Sequence, residues 1–158
     1  MTQLGAKGEE GTTTGAVGRF GSRDQCCRIG CFSVGGLARI KHGLCLLDDF
    51  VGLNFCILAW GTDPSYGMDE EALNFWQRLG ARFIRAMPSG QLLHPTPTRD
   101  GVLTVGDEQG RLKDWFSAQG KSVVFVRPDR FVAALASPQE VSAVTRQMAR
   151  VLHSPLEA

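Results

Sequence analysis

The chain has 158 residues, of which 43% are hydrophobic and 21% charged, and its formal net charge is +1. This composition is typical of one globular domain that is long enough to bury a core. A near-neutral chain gives no electrostatic case for binding nucleic acid or an anionic membrane surface, and no apolar run reaches membrane-spanning length. The chain does not open on a basic segment followed by an apolar one, so we expect a cytoplasmic protein.

Residues 1–46 differ in character from the rest of the chain. Eleven of the 19 glycines precede Leu53, and apolar residues follow no sustained period of 2 or 3.6. Such a segment buries little apolar surface to offset the entropy cost of ordering. We therefore expect residues 1–46 to be irregular or disordered, with a strand at residues 31–37 as the weaker alternative. The folded domain is expected at residues 47–153, followed by a tail at 154–158.

The cysteines do not predict a metal site or a disulfide framework. Four of the five lie in the first third of the chain, at Cys26, Cys27, Cys31 and Cys45. Structural zinc normally takes two cleanly spaced pairs of ligands, and Cys27 and Cys31 have no second pair, even with His42 counted. In a cytoplasmic protein these are expected to be reduced thiols. Cys56 lies in an apolar run and is interpreted as a small buried hydrophobic residue.

Periodicity predicts the first ordered elements. The apolar run at residues 53–60 predicts a central strand that is covered on both faces. A helix follows, with acidic residues at its N-terminus, Gly80 just past its end, and an apolar stripe at Ala72, Phe75, Trp76 and Leu79. Residues 82–87 predict a second strand, and residues 91–101 an exposed, proline-containing connection.

The second half continues with a short edge strand at residues 102–105 and a helix capped by Asp107, carrying Leu112, Trp115 and Phe116, and closed by Gly120. The runs at residues 123–126 and 131–135 predict an antiparallel hairpin that turns at Pro128 and Asp129. Ser137 and Glu140 form a capping box, with Pro138 at the first helical position. The helix that follows has an apolar face at Val141, Val144, Met148, Val151 and Leu152.

This order of elements predicts an α/β fold, a thioredoxin-like sandwich with a central mixed sheet and flanking helices. A thioredoxin-type oxidoreductase carries its reactive cysteine in the loop after the first central strand, at a helix N-terminus. Here that loop, residues 60–67, contains no cysteine. If the fold prediction is right, dithiol chemistry at the usual site is excluded.

Other catalytic patterns are missing from the sequence. There is no G-x-S-x-G, no G-x-G-x-x-G and no Walker A loop, and the three histidines are scattered. Asp48 and Asp49 are interpreted as turn or capping residues. Trp76, Trp115 and Phe116 are interpreted as core residues, with an exposed docking patch as the alternative. We expect no catalytic, cofactor-binding or metal residue in this chain.

Several groups of residues nevertheless resemble one family. From about Cys45 to Leu152 the chain is similar to the C-terminal region of class A flavoprotein aromatic-ring hydroxylases. The resemblance lies in residues 105–116, in the hairpin residues 126–134, in residues 46–52 with the strand that ends in Trp60, and in the residues around Trp76 and Arg82. Its signature residues are Asp48, Asp49, Gly106, Asp107, Gly110, Trp115, Arg127, Pro128 and Asp129.

The resemblance implies a thioredoxin-like domain that has lost its redox cysteines and has a structural or oligomerisation role. The complete enzymes bind FAD and use NADH and O2 to hydroxylate a phenolic acid such as 3-(3-hydroxyphenyl)propionate. They do so with a large N-terminal domain whose dinucleotide fingerprint has no counterpart here. The implied partner is that FAD and substrate domain, on the same or a separate chain, and association into a homo-oligomer stays open.

Residues 1–46 depart from the family pattern, and the change near residues 44–47 is abrupt. We therefore expect a truncated gene product, or one whose N-terminal segment is read in the wrong frame. One alternative is a free-standing, redox-inactive thioredoxin-like module that docks or dimerises through an apolar helix face. A redox enzyme that uses Cys26, Cys27 and Cys31 is the weakest alternative.

Overall fold

The computed structural model describes residues 37–40 and 43–152, with side chains from Leu47 onward. Among the described residues, four short helical segments lie between the seven strands, and a 3-10 turn and a last α-helix follow the seventh strand. The strands are β1 (Leu37–Ile40), β2 (Gly43–Leu46), β3 (Cys56–Trp60), β4 (Arg82–Pro88), β5 (Val102–Asp107), β6 (Val123–Val126) and β7 (Val132–Ala136). The α-helices are α1 (Leu47–Val51), α2 (Glu70–Arg78), α3 (Arg111–Gln119) and α4 (Val141–Val151), and 3-10 turns span Ser89–Leu93 and Pro138–Glu140.

All seven strands join one mixed sheet in the order β2-β1-β5-β4-β3-β6-β7. Strands β3, β4 and β5 run parallel to one another, and β6 runs antiparallel to β3. Strand β3 lies between β4 and β6, and the side chains from Cys56 to Ala59 are buried. The predicted central strand is therefore confirmed over residues 56–60, where it is covered on both faces, whereas Leu53, at the start of the predicted run, precedes the strand and is 86% exposed.

Two apolar clusters cover the two faces of the sheet. Helices α1 and α3 pack on one face, where Leu58, Ile84 and Val124 point. Helices α2 and α4 pack on the other, where Ile57, Phe83 and Phe125 point. Because neighbouring residues of a strand face opposite ways, β3, β4 and β6 each contribute to both clusters. The predicted α/β class, a central mixed sheet with flanking helices, is confirmed.

Trp76 of α2 is the largest fully buried side chain. Its ring centroid lies 5.0 Å from that of Phe75 and 5.5 Å from those of Phe55 and Phe125. Its Nε1 donates to Thr145 Oγ1 at 2.8 Å, and that hydroxyl donates to Val141 O at 2.9 Å. The indole N–H thus has a buried acceptor on α4, and the bond fixes the two helices against each other.

The hairpin of β6 and β7 forms as the sequence predicts. Arg130 N donates to Arg127 O at 2.9 Å, which closes a four-residue turn with Pro128 and Asp129 at its centre. Arg130 then adopts φ +69°, a left-handed conformation that is uncommon for a residue other than glycine. The capping box of Ser137 and Glu140 is also confirmed.

Three expectations are wrong in part. Strands β1 and β2 lie within residues 1–46, the segment expected to be irregular. Residues 1–36, 41 and 42 of that segment lie outside the described residues. Composition missed these strands because β1 is paired along the edge of β5, a long-range interaction. For the same reason β5 is not an edge strand. On α4, Val151 and Leu152 are 50% and 42% exposed, because the buried face runs through Thr145 and Ala149 instead.

Glu140 makes the start of α4 sensitive to acid. Its Oε2 accepts from Lys121 Nζ at 2.6 Å and from Ser137 N and Oγ at 2.8 Å each. These donors, that of Lys121 first, lower the pKa of Glu140 from 4.5 to about 2. Because the folded-state pKa is the lower one, the stabilisation is present above pH 4.5 and is lost as the pH falls toward 2.

We expect Glu140→Gln to lower the free energy of unfolding by about 1 kcal/mol or less near neutral pH, since both partners are half-exposed. The deficit should shrink between about pH 4.5 and pH 2, as wild-type Glu140 becomes protonated. Urea unfolding over this pH range measures it. Lys121→Met, which keeps both Ser137 bonds, should show a smaller deficit with the same pH trend. A deficit independent of pH would contradict this assignment.

Candidate functional site

The loop after β3 is the position where a thioredoxin-type enzyme would carry its cysteines. Here it holds a buried carboxylate, since Asp63 is 3% exposed. Asp63 Oδ1 accepts from Ser65 N at 2.8 Å and from Ser65 Oγ at 2.6 Å, and Oδ2 accepts from Arg99 N at 2.8 Å. The carboxylate therefore joins this loop to the connection between β4 and β5, a structural role rather than a catalytic one.

The end of the same loop packs against the start of α4 without space for a side chain. A Cβ on Gly67 would lie 2.0 Å from Pro138 O. Gly67 O accepts from Ser142 Oγ at 3.2 Å, and Ser142 Oγ accepts from Asp69 N at 2.8 Å. The backbone of the 3-10 turn at Pro138–Glu140 therefore leaves no room for a side chain at Gly67.

Arg85 of β4 is a second buried charge, 2% exposed. Its Nη1 donates to Thr96 Oγ1 at 2.8 Å, and its Nη2 donates to Thr96 O at 2.9 Å and to Thr104 Oγ1 at 3.1 Å. All three acceptors are uncharged oxygens, and Nε has no hydrogen-bond partner in the described part of the chain. Arg85 thus holds Thr96, in the middle of the long β4–β5 connection, against the sheet.

The signature residues fall into two groups. Gly106, Asp107, Gly110 and Trp115 lie at the C-terminal end of β5 and in α3, whereas Arg127, Pro128 and Asp129 form the β6–β7 turn. Because β6 runs antiparallel to β3, that turn lies at the opposite end of the sheet. The structure therefore does not assemble the two groups into one site.

The first group builds the turn from β5 into α3. Asp107 is 7% exposed, and its Oδ2 accepts from Lys113 N at 3.0 Å, near the start of the helix. Gly110 is the N-cap residue, with φ +74°, where a Cβ would be strained. Trp115 is half-buried and packs edge-on against Phe116, with centroids 5.0 Å apart. Asp107 thus caps α3, as predicted, although it is not the N-cap residue itself.

The second group is linked to Asp48. Arg130 Nη2 donates to Asp48 O at 3.1 Å, and Nη1 lies 3.7 Å from Asp48 Oδ1. In the turn, Arg127 Nη2 donates to Asp129 Oδ2 at 2.6 Å, and both side chains are half-exposed. Asp49 is exposed on α1. The contacts of Arg130 fix the turn to α1, and the Arg127–Asp129 pair lies within the turn itself.

Cys56 is the free thiol among the residues whose side chains are described, and it is 1% exposed. Burial raises its pKa to about 12, and nearby Arg130 and Arg82 lower it only in part. A thiol with this pKa is almost entirely protonated at neutral pH and is a poor nucleophile. The interpretation of Cys56 as a buried hydrophobic residue fits this environment.

A shallow cavity of about 280 Å³ lies on the surface between Trp60, Phe116 and residues 120–122. Its volume lies below the usual range for ligand sites, which starts at about 300 Å³. Lys121, its charged lining residue, is paired with Glu140 at 2.6 Å. This cavity does not support a substrate site.

Other candidates cannot be placed. Cys26, Cys27, Cys31, Cys45, His42 and His153 all lie outside the residues whose side chains are described. Over the part of the chain that is described, no three potential metal ligands come together. Within the same residues, no helix combines the length and apolar character needed to cross a membrane.

Sequence reasoning missed Asp63 and Arg85. Arg85 interrupts the apolar strand Phe83-Ile84-Arg85-Ala86-Met87, and a lone charge within such a run is a usable sign of a buried, bonded ion. The sequence Asp63-Pro64-Ser65 predicts a side-chain-to-backbone turn, which the structure contains, but it does not predict the contact with Arg99. That contact depends on two loops that meet only in the fold.

Comparisons with known proteins agree with the resemblance. A family model described as the HcaD C-terminal domain matches residues 38–151. The 3-(3-hydroxyphenyl)propionate/3-hydroxycinnamic acid hydroxylase of Comamonas testosteroni is 99% identical over 113 residues, 72% of this chain. Hydroxylases of the same name from Escherichia coli O139:H28 and K12 are 45% identical over 107 residues, 68% of this chain. The matches span 19% of the length of each relative.

The 3-10 turn Ser89–Leu93 packs closely on Gly106 of β5, and a substitution at Gly106 tests this packing. A Cβ at this position would lie 2.7 Å from Leu92 Cδ1 and 2.9 Å from Ser89 Cα, so the backbone of the turn would have to move. We expect Gly106→Ala to lower the free energy of unfolding by about 1–3 kcal/mol, measured in urea. Gly90→Ala, in the same turn, meets no heavy atom within 4 Å and should change it by less than about 0.5 kcal/mol. Equal effects would refute the tight packing.

Cys56 should be unreactive in the folded protein. We expect iodoacetamide to leave it unmodified under native conditions and to modify it once urea unfolds the chain, because burial both covers the sulfur and suppresses the thiolate. Peptide mapping by mass spectrometry distinguishes Cys56 from the other four cysteines. Rapid native labelling of Cys56 would show an accessible thiolate and contradict the assignment.

Proposed function

Because the chain belongs to the HcaD C-terminal domain family, we propose that it is the C-terminal domain of a 3-(3-hydroxyphenyl)propionate/3-hydroxycinnamate hydroxylase. In this proposal the domain has a structural or oligomerisation role and does not catalyse a reaction alone. The observation that carries the proposal is the 99% identity to such a hydroxylase over 113 residues that make up only 19% of it. The activity would then belong to the remaining four-fifths of the enzyme.

The use of charged groups supports a structural role. Asp63 joins two loops, Asp107 caps α3, and Arg85 holds Thr96. Catalytic acids and bases need an accessible position beside a substrate. These three side chains are 2–7% exposed and are bonded within the domain. They stabilise loop positions instead.

The helix N-termini do not fit a flavin pyrophosphate. A dinucleotide phosphate is bound by free backbone N–H groups and the positive end of a helix. Asp69, Glu70 and Glu71 surround the start of α2, and Asp69 Oδ1 already accepts from Ala72 N at 2.9 Å. Asp107 accepts from Lys113 N at the start of α3, and Glu140 lies at the start of α4. The FAD and NADH of the proposed parent enzyme therefore belong on its upstream part.

The proposed partner is that upstream part, on the same chain or on a separate one. The cytoplasmic location stays a prediction, and association of the domain into a homo-oligomer stays open. The thioredoxin-like character of the fold is also a prediction, which the parallel β3–β4 pair and the antiparallel β6–β7 hairpin support.

Two comparisons test the proposal. The purified chain should carry no flavin absorbance and should not oxidise NADH in the presence of 3-(3-hydroxyphenyl)propionate. The Comamonas hydroxylase without its matching C-terminal region should lose thermal stability, flavin retention or its native oligomeric state relative to the full-length enzyme. A flavin-bound, active chain would contradict the proposal, and so would a truncated enzyme equal to the full-length one in all three properties.

A further inference from the structure

The upstream part of the hydroxylase must join this domain beside β5. The family match begins at residue 38, within β1, and the matched relatives are about five times longer than the matched region. In the sheet Ala38 lies opposite Asp107, and Arg39 lies opposite Gly106. The polypeptide that precedes β1 in the hydroxylase therefore reaches the domain at the C-terminal end of β5.

The long β4–β5 connection lies against this end of β5. The 3-10 turn Ser89–Leu93 covers Gly106, whose added Cβ would lie 2.7 Å from Leu92 Cδ1. Next to it, Leu93 is 80% exposed, and residues 94–97 are exposed as well. Tyr66, 59% exposed, donates from its hydroxyl to Pro97 O at 3.3 Å. We call this surface, Tyr66 with residues 93–97, the loop face.

The loop face is ordered without regular secondary structure over residues 94–98. Arg85 holds Thr96 by two bonds, and Asp63 holds Arg99 N at 2.8 Å. Burying two charged groups costs free energy that an ordinary surface loop would not require. A loop fixed in one conformation before binding loses less entropy when a partner binds.

The loop face is also free of formal charge. Residues 88–98 contain no Asp, Glu, Lys or Arg, in a chain that is 21% charged. Interface cores are depleted of charged residues and enriched in aromatic ones. Leu53, equally exposed at 86%, lies instead at the end of the sheet that carries Arg127 and Asp129. The charge-free stretch at residues 88–98 therefore differs from the β6–β7 turn.

We propose that the loop face is the docking surface for the upstream part of the hydroxylase, which joins the domain beside it. This inference rests on the proposed function and specifies where the two parts touch. The partner surface is expected to be apolar, with hydrogen-bond donors for the exposed carbonyl and hydroxyl oxygens of the loop. The surface around Leu53 stays in solvent.

Hydrogen exchange on the full-length Comamonas hydroxylase and on this chain tests the proposal. Backbone amides of residues 89–99 should exchange about tenfold or more slowly in the hydroxylase than in this chain, whereas those of residues 52–54 and 127–131 should not. Equal exchange of residues 89–99 in both proteins, or protection confined to the other end, would overturn the proposal.

Matched variants of the full-length enzyme separate this inference from the proposed function. The aspartate substitution Leu93→Asp, in this chain's numbering, should restore fast exchange at residues 89–99 and lower the melting temperature, whereas Leu53→Asp should do neither. If removal of the whole domain weakens the enzyme but Leu93→Asp behaves like Leu53→Asp, the proposed function stands and the docking surface is wrong. If removal has no effect, the proposed function itself fails.

Discussion

The buried guanidinium of Arg85 determines how one side of this domain is built. Helices α2 and α4 cover one face of β3, β6 and β7, and on that face the connection between β4 and β5 covers Arg85 of β4 and Gly106 of β5. After its 3-10 turn at Ser89–Leu93, this connection has no regular secondary structure over residues 94–99. Arg85 supplies three donors from the sheet beneath it, and Asp63 supplies an acceptor from the neighbouring loop. Arg85 and Asp63 thus hold this connection in place on the sheet.

The same arrangement explains why the loop after β3 is structural. In a redox enzyme this loop would present a thiolate at a helix N-terminus. Here Asp63 points inward to Ser65 and Arg99, and Gly67 lies against Pro138. Acidic residues occupy the start of α2, where the macrodipole favours them. In this domain the loop after β3 is thus held by contacts with the β4–β5 connection and with the 3-10 turn before α4.

Local patterns predicted most of the fold. The turn at Pro128 and Asp129 and the capping box at Ser137 depend on neighbours in sequence, and both are confirmed. The apolar stripe of α2 is confirmed at Ala72, Phe75 and Trp76, whereas Leu79, its fourth predicted member, is 38% exposed. Interactions between distant residues were not predictable in this way. The pairing of β1 with β5 and the burial of Thr145 against Trp76 depend on the finished fold. The contacts of Arg85 and Asp63 were harder to predict, because each joins residues that are distant in sequence and that no local sequence pattern places together.

The central claim is that Arg85 orders the β4–β5 connection, and hydrogen exchange of Arg85→Met tests it most directly. Methionine is apolar and of similar length, so the substitution removes the three N–H donors of Arg85 and adds no charge to the sheet. We predict faster exchange in residues 89–99, with β3 and β6 unchanged, and no such effect for Arg82→Met, an exposed arginine on the same strand. Unchanged exchange in residues 89–99 of a folded Arg85→Met variant would contradict the account.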